Sequence, residues 1–354
     1  MQLNYLNFDP VLGAGFELAS SAAVIGRVTA GERLTLRAYA TLRADGESIV
    51  VGADAFFAER ATVHIADSFL GTTIGNRVTV GRFALVHGCT VSDGVVVGDG
   101  AAVTDGASVG AGALIAAGSL VTPRKCLEGG WLHAGCPAVP VRLLADGELA
   151  AAAAAIRGGT DHALGRSEDL PPLDMAPFLD PVPQLDALRV VRGRDPRAYV
   201  APTAVVRGDV SLAEDAGVYF ACAVVAGDGR IAIGPRTNIQ DNSLLVTDRA
   251  RGPIVLGTAV TIGHNVRMGA ARVEDDALIG MASQLDDGVV VERAGCVAAR
   301  AWVERDTIVK AGWIWAGRPA RAFRELKDAE RESFRRGCDV YIRYGKAYLG
   351  ATGA

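Results

Sequence analysis

Five histidines and six cysteines are the side chains of this 354-residue sequence best suited to metal ligation, nucleophilic attack or proton transfer. The histidines stand in unlike settings: VHIAD (His64), LVHGCT (His87), WLHAG (His133), TDHAL (His162) and IGHNV (His264). The cysteines, at 89, 126, 136, 222, 296 and 338, form no C-x-x-C pair and no dense cluster. They read as free, mostly buried thiols of a cytoplasmic protein, not as a disulfide framework. Cys89 has no base assigned to it and fits a small buried residue better than a nucleophile. The glycine-rich VGDGAAVTDGASVGAGAL lacks the Lys-Ser/Thr and the strand–helix context of a phosphate loop, so it reads as a run of chain corners. Chemistry here must come from residues that the fold gathers from a distance.

The elements that do the gathering are written in hexads. From Leu85 the chain divides without a break into LVHGCT, VSDGVV, VGDGAA, VTDGAS, VGAGAL and IAAGSL, and from Val273 into VEDDAL, IGMASQ, LDDGVV, VERAGC and VAARAW. Each opens on an aliphatic residue. A period of six is neither helical nor a plain strand alternation; it fits three short strands per coil of a parallel β-helix, with one aliphatic side chain per hexad stacked inward and small residues easing the corners. Half of the residues are hydrophobic and 21% are charged, which excludes global disorder. The near-balance of 36 basic against 40 acidic residues gives no field for nucleic acid. No apolar run approaches the roughly 20 residues of a membrane span, and MQLNYLNFDP has neither the basic start nor the apolar core of a signal peptide.

A longer repeat encloses the short one. Gly52, Gly75, Gly81, Trp131, Gly135 and Pro137 recur as Gly234, Gly257, Gly263, Trp313, Gly317 and Pro319, each 182 positions later. The expected organisation is therefore a first β-helix at 1–148, a linker at 149–196, a second β-helix at 197–326 and a C-terminal helix at 327–354. In the linker, ADGELAAAAAAIRGG can form a short helix, and GRSEDLPPLDMAPFLDPVPQLD is Pro-rich and acidic, a semi-rigid tether. At the C-terminus, Phe334, Val340, Tyr341 and Tyr344 fall broadly on one side of a helix expected to pack along the β-helix.

The segments YVAPTAVVRGDV, RIAIGPRTNIQDNSLLVTD, VTIGHNVRMGAARVEDDALIGMASQLDDG and AGWIWAGRPARAFREL resemble the γ-class carbonic anhydrase-like family of hexapeptide-repeat proteins, and TLRADGESIVVG, ATVHIAD, TIGNRVTVGRFALVHGC and GGWLHAGCPAVPVRLL carry the same marks in the first copy. The resemblance implies an all-β fold of two left-handed parallel β-helix (hexapeptide-repeat) domains with a C-terminal α-helix. It also implies trimeric rings of β-helix domains, with a metal held by three histidines at each interface, two from one subunit and one from its neighbour.

Carried over residue by residue, the first copy supplies His64 and His87 but has Arg82 at the second position. The second copy has Val246, His264 and Gly269 at the three positions. Neither can build a site from its own kind; His64, His87 and His264 together make one complete set. Three imidazoles with an open fourth position are the ligand set of a catalytic Zn²⁺, whose water has a pKa near 7, and Fe²⁺ or Co²⁺ suits the same donors. The second copy keeps Asn238, Gln240 and Asp241 of the family's N-I-Q-D segment, where the glutamine lies near the metal-bound solvent; the first copy has Phe56, Ala58 and Glu59 there. The first copy keeps Arg43 and Asp45 of an Arg–Asp pair that in the family joins subunits, so their expected role is assembly; the second reads Ala226, Gly227 and Asp228. Tyr341 matches a family tyrosine that points into the site. His133, aligned with Trp315, reads as a surface or rim residue, and His162 as a solvated part of the tether.

The resemblance thus implies a metal-dependent lyase or hydratase in which metal-bound hydroxide attacks CO₂ or a related small carbonyl substrate, with His64, His87 and His264 as ligands, and with Gln240, Asn238 and Tyr341 as catalytic residues. No nucleic-acid or membrane partner is expected, and a homo-oligomer is. Two alternatives stay open: an acyl-CoA transferase or thioesterase, since hexapeptide β-helices commonly bind CoA, and a non-catalytic scaffold with degenerate sites. A trimeric ring cannot alternate two domain types. Mixed rings with fewer metals than interfaces would meet this constraint, as would a ring of first copies in which Arg82 makes a metal-free anion pocket.

Overall fold

The computed structural model describes residues 1–159 and 191–351, and the chain divides into two compact units, Met1–Asp180 and Pro181–Ala354. The Pro-rich tether and His162 lie outside the described residues. Each unit is a parallel β-helix. In the first, strands Val96–Val97, Ala102–Val103, Ser108–Val109, Leu114–Ile115, Leu120–Val121 and Cys126–Leu127 begin six residues apart, as the hexads predict. Every third strand pairs in parallel, with Val96 opposite Leu114, Ala102 opposite Leu120 and Ser108 opposite Cys126. Two-residue strands have room for one side chain inward and one outward, which is why one aliphatic residue per hexad is enough to specify the core.

The inward columns run straight through the stack. Leu36, Phe57, Val80, Val97 and Ile115 pair in successive coils and are all buried. In the second unit Val218, Ile239, Ile262, Ile279 and Val297 do the same. Each such side chain contributes about 1.5–3 kcal/mol on burial. Among the described residues the first unit has sheets of 12 and 8 strands and the second has sheets of 11 and 8. The larger sheet of the first unit turns a corner within strand Thr41–Val51, which pairs with Thr62–His64 at its start and with Thr72–Ile74 at its end.

The corners have their own chemistry. An aspartate 17 positions downstream accepts a backbone N–H from the coil above: Asp93 from Asn76 at 2.8 Å and Asp99 from Arg82 at 2.7 Å. The second unit repeats this with Asp275 on Thr258 at 2.8 Å and Asp287 on Ala270 at 2.9 Å, both also 17 positions apart. The close approach makes glycine obligatory nearby: a Cβ on Gly75 would lie 2.3 Å from Asp93 Oδ1, and one on Gly257 would lie 2.5 Å from Asp275 Oδ1.

A helix covers one outward column in each unit. Helix α1, Glu148–Arg157, lays Ala152 and Ile156 on Phe56, Val96, Leu114 and Leu132. Helix α2, Asp328–Ala351, buries Cys338, Tyr341, Tyr344 and Tyr348, with Tyr348 stacked on Tyr199 and Tyr341 edge-on to Tyr219. Both helices start with the same clasp. Arg142 holds Glu148 while Glu148 accepts the Ala145 N–H at 3.0 Å; Arg324 holds Glu330 while Glu330 accepts the Lys327 N–H at 2.9 Å. These residues are again 182 apart.

Candidate functional site

Parallel register stacks the first unit's polar residues one above another. Arg43 pairs with His64, and His64 with His87, in adjacent strands of three successive coils. Neighbouring strands lie roughly 4.8 Å apart, so the two imidazoles face each other with ring centroids 5.2 Å apart and His64 Nδ1 3.2 Å from His87 Nε2. Each ring turns its other nitrogen to a carboxylate: His64 Nε2 is 3.2 Å from Asp45 Oδ1, and His87 Nδ1 is 2.5 Å from Asp105 Oδ1. Arg43 pairs with Asp45, so the row reads Arg43, Asp45, His64, His87, Asp105, with both histidines and both Arg43 and Asp45 buried.

This row fixes what the site can do. If each neutral imidazole gives its N–H to its carboxylate, the lone pairs of His64 Nδ1 and His87 Nε2 point at each other, and two lone pairs that close together need a cation between them. Two ligands of a tetrahedral Zn²⁺, at Zn–N of 2.0–2.1 Å, lie about 3.3–3.4 Å apart. The observed 3.2 Å fits that edge. Carboxylates on the outer nitrogens are also the usual support of metal-ligating histidines. The donor set therefore suits a first-row divalent metal.

In the second unit the sequence-predicted residues meet beneath α2. His264 is fully buried, with Asp241 Oδ2 3.3 Å from its Nδ1 and the Tyr341 hydroxyl 3.0 Å from its Nε2. Tyr219 donates to the Tyr341 carbonyl oxygen, fixing that turn of the helix. Gln240 Nε2 donates to Asn238 Oδ1 at 3.1 Å, and Asn238 Nδ2 donates to Thr261 Oγ1 at 3.0 Å. With its amide nitrogen so engaged, Gln240 is oriented by its neighbours and not by solvent.

One expectation is corrected. His133 is not a rim residue: it is 1% exposed, pairs with Ile115 at the end of the inward column, and its Nε2 meets the Glu128 carbonyl oxygen at 2.8 Å. It closes the floor of the first core, as Trp315 does under Val297 in the second. Arg43 and Asp45 sit against His64 in their own unit, with Asp45 Oδ1 3.2 Å from His64 Nε2. The burial expected of Cys89 is observed, and it pushes the thiol up to about 12, as for a packed side chain.

Two of the three positions without histidine are filled. Arg82 is buried and grips Asp99 through Nε at 2.8 Å and through Nη2. Its charge is thus met within the unit, which weakens the anion-pocket alternative. At Gly269 a Cβ would lie 2.2 Å from Asp287 Oδ1 and 2.6 Å from Arg251 Nη2. Val246 is exposed. The residue that sequence reasoning missed is Asp105. Its signal was available, because 18 residues make one coil and Asp105 stands 18 after His87.

Stacked hexads and coil-capping aspartates define a hexapeptide-repeat protein, and a carboxylate beside each of His64, His87 and His264 gives it donors of the kind that could hold a metal. No family model matches the chain. It is 32% identical over 175 residues to protein YrdA of Escherichia coli, covering 46% of this chain and 95% of YrdA. It is 37% identical over 159 residues to gamma carbonic anhydrase 1, mitochondrial, of Arabidopsis thaliana, covering 44% of this chain and 58% of that one. The chain thus spans a little over half the length of the plant relatives it matches. A solved structure of a proposed acetyltransferase from Desulfovibrio desulfuricans, 15% identical, superposes with a TM-score of 0.53 over 98% of this chain and 82% of that one, a likeness of fold. The chain belongs to the γ-carbonic anhydrase-like hexapeptide-repeat family. No helix among the described residues is long and apolar enough to cross a membrane.

Proposed function

We propose that the chain is a metal-dependent lyase or hydratase of the γ-carbonic anhydrase type, acting on CO₂ or a related small carbonyl substrate, with His64, His87 and His264 as one ligand set. The observation that carries this is the 3.2 Å approach of His64 Nδ1 to His87 Nε2, with a carboxylate behind each ring. Relatives named gamma carbonic anhydrases support it. A bound Zn²⁺, or Fe²⁺ or Co²⁺ in its place, supplies Lewis acidity that brings a water's pKa to about 7.

The chain's own residues do the rest. Asp45 and Asp105 orient the two imidazoles of the first unit, and Asp241 faces the third. Gln240, its amide nitrogen held by Asn238, can offer Oε1 as an acceptor that orients the attacking water or a substrate hydroxyl. Tyr341 places a hydroxyl at His264 Nε2. Burial of His64, His87 and His264 keeps bulk water from competing for these bonds. We place the protein in homo-oligomers built on trimeric rings of β-helix domains.

The test is metal analysis of tag-free protein followed by a stopped-flow CO₂ hydration assay. Stoichiometric metal, hydration above background and loss of both in His264→Ala are expected. Absence of metal even after Zn²⁺ loading, or equal rates in the two proteins, would overturn the reading.

A further inference from the structure

Asp105 departs from the habit of its fellow corner aspartates. Its counterpart in the second unit, Asp287, 182 positions on, caps the Ala270 N–H at 2.9 Å and holds Arg251 through Oδ1 at 2.7 Å. The N–H equivalent to Ala270's, that of Gly88, bonds to the His64 carbonyl oxygen at 3.1 Å. Asp105 Oδ1 lies 2.5 Å from His87 Nδ1, closer than any of the four corner caps described above. One position in the repeat thus has two uses: an ion pair and a cap where the histidine is gone, an imidazole clamp where it remains.

A carboxylate accepts only, so the hydrogen of this bond belongs to His87 Nδ1, and in the neutral ring the lone pair is then on Nε2. Nε2 is the atom that faces His64. We propose that Asp105 is a positioning residue that locks His87 in the Nδ1–H tautomer and so turns its Nε2 lone pair toward the metal. Asp105 is 40% exposed at its side chain, against 9% for His87. Trimming it therefore opens no core cavity, and the clamp can be tested without unfolding the β-helix. The inference rests on the metal reading above, but the tautomer can be seen without metal.

The experiment uses full-length protein labelled with ¹⁵N-histidine, whose five rings give a resolvable long-range ¹H–¹⁵N spectrum, assigned at His87 through His87→Asn. Zn²⁺ affinity is measured in parallel by chelator competition. In the wild type His87 is expected to carry its proton on Nδ1. In Asp105→Ala it shifts toward the Nε2–H form favoured in water, and Zn²⁺ binding weakens by about 10–100-fold. Asp105→Asn, which keeps an acceptor oxygen, is expected to retain the tautomer and most of the affinity. Asp287→Ala, the matched control, leaves both unchanged. An unaltered His87 spectrum in Asp105→Ala overturns the proposal, as does equal Zn²⁺ affinity in the two proteins. A wild type that binds no Zn²⁺ overturns the metal reading instead, and the spectrum then still decides the role of Asp105.

Discussion

Tyr341→Phe should destabilise the metal-free protein and at the same time tighten its hold on metal. His264 has two ring nitrogens: Asp241 stands 3.3 Å from Nδ1, and Nε2 meets the Tyr341 hydroxyl at 3.0 Å. A metal that takes the nitrogen away from the carboxylate must displace that hydroxyl. Removing the hydroxyl leaves the tyrosine ring edge-on to Tyr219, with centroids 5.0 Å apart, so packing changes little. What is lost is the hydrogen-bond partner of a buried nitrogen, about 1–3 kcal/mol. For a unit of this size that lowers Tm by roughly 2–4 °C per kcal/mol. By linkage, the same energy no longer has to be surrendered on binding, so Zn²⁺ affinity rises roughly 5- to 150-fold. Thermal unfolding in chelator and Zn²⁺ competition measure the two halves. An unchanged Tm would show that the bond to His264 has no energetic weight, and weaker Zn²⁺ binding would show that Tyr341 supports the metal instead of competing with it.

Three more outcomes follow from the same structure. The Arg324 guanidinium, helped by the Lys327 N–H, holds the Glu330 carboxyl at about 2, well below its usual 4.5, so the clasp at the start of α2 is fully present above that usual value and is lost only as pH falls toward 2. Circular dichroism should therefore show α2 intact at about pH 4, with Arg324→Ala losing helix at higher pH than the wild type; identical acid transitions would refute the clasp. Alkylation near neutral pH should reach exposed Cys126 first and spare Cys89 and Cys296, whose thiols burial pushes up to about 12, and early labelling of Cys89 would contradict the packing. Phe57→Ala, in the middle of an inward column and fully buried, should cost about 3–5 kcal/mol in denaturant unfolding, and a loss under 1 kcal/mol would mean the column is not packed as described.

The β-helix could be read from the sequence because each hexad carries its whole structural instruction: Val97, Val103, Val109 and Ile115 open or follow the opening of consecutive hexads and all point inward. What could not be read along the chain was written across it. The bonds of Arg82 to Asp99 and of His87 to Asp105 span 17 and 18 positions, one coil, so they appear only when residues are compared with the coil below. His133 differs from the sequence expectation for a related reason. Alignment with Trp315 says which residues correspond, whereas pairing with Ile115 says which way the side chain faces.

The two copies also show that loss of a histidine is not mere erosion. Where Arg82 stands, Asp99 binds both its backbone and its guanidinium; where Gly269 stands, Asp287 and Arg251 take up the room an imidazole would need. Restoring a histidine by a single change at either place would take from buried Asp99 its guanidinium partner or force out an ion pair, a cost the lone Coulomb gain does not recover. The surviving histidines each keep a carboxylate within 3.3 Å of one ring nitrogen. A remnant under no selection has no reason to keep a carboxylate beside all three rings while two of the three vacated positions are sealed, and that contrast is the physical argument for the ligand set proposed above.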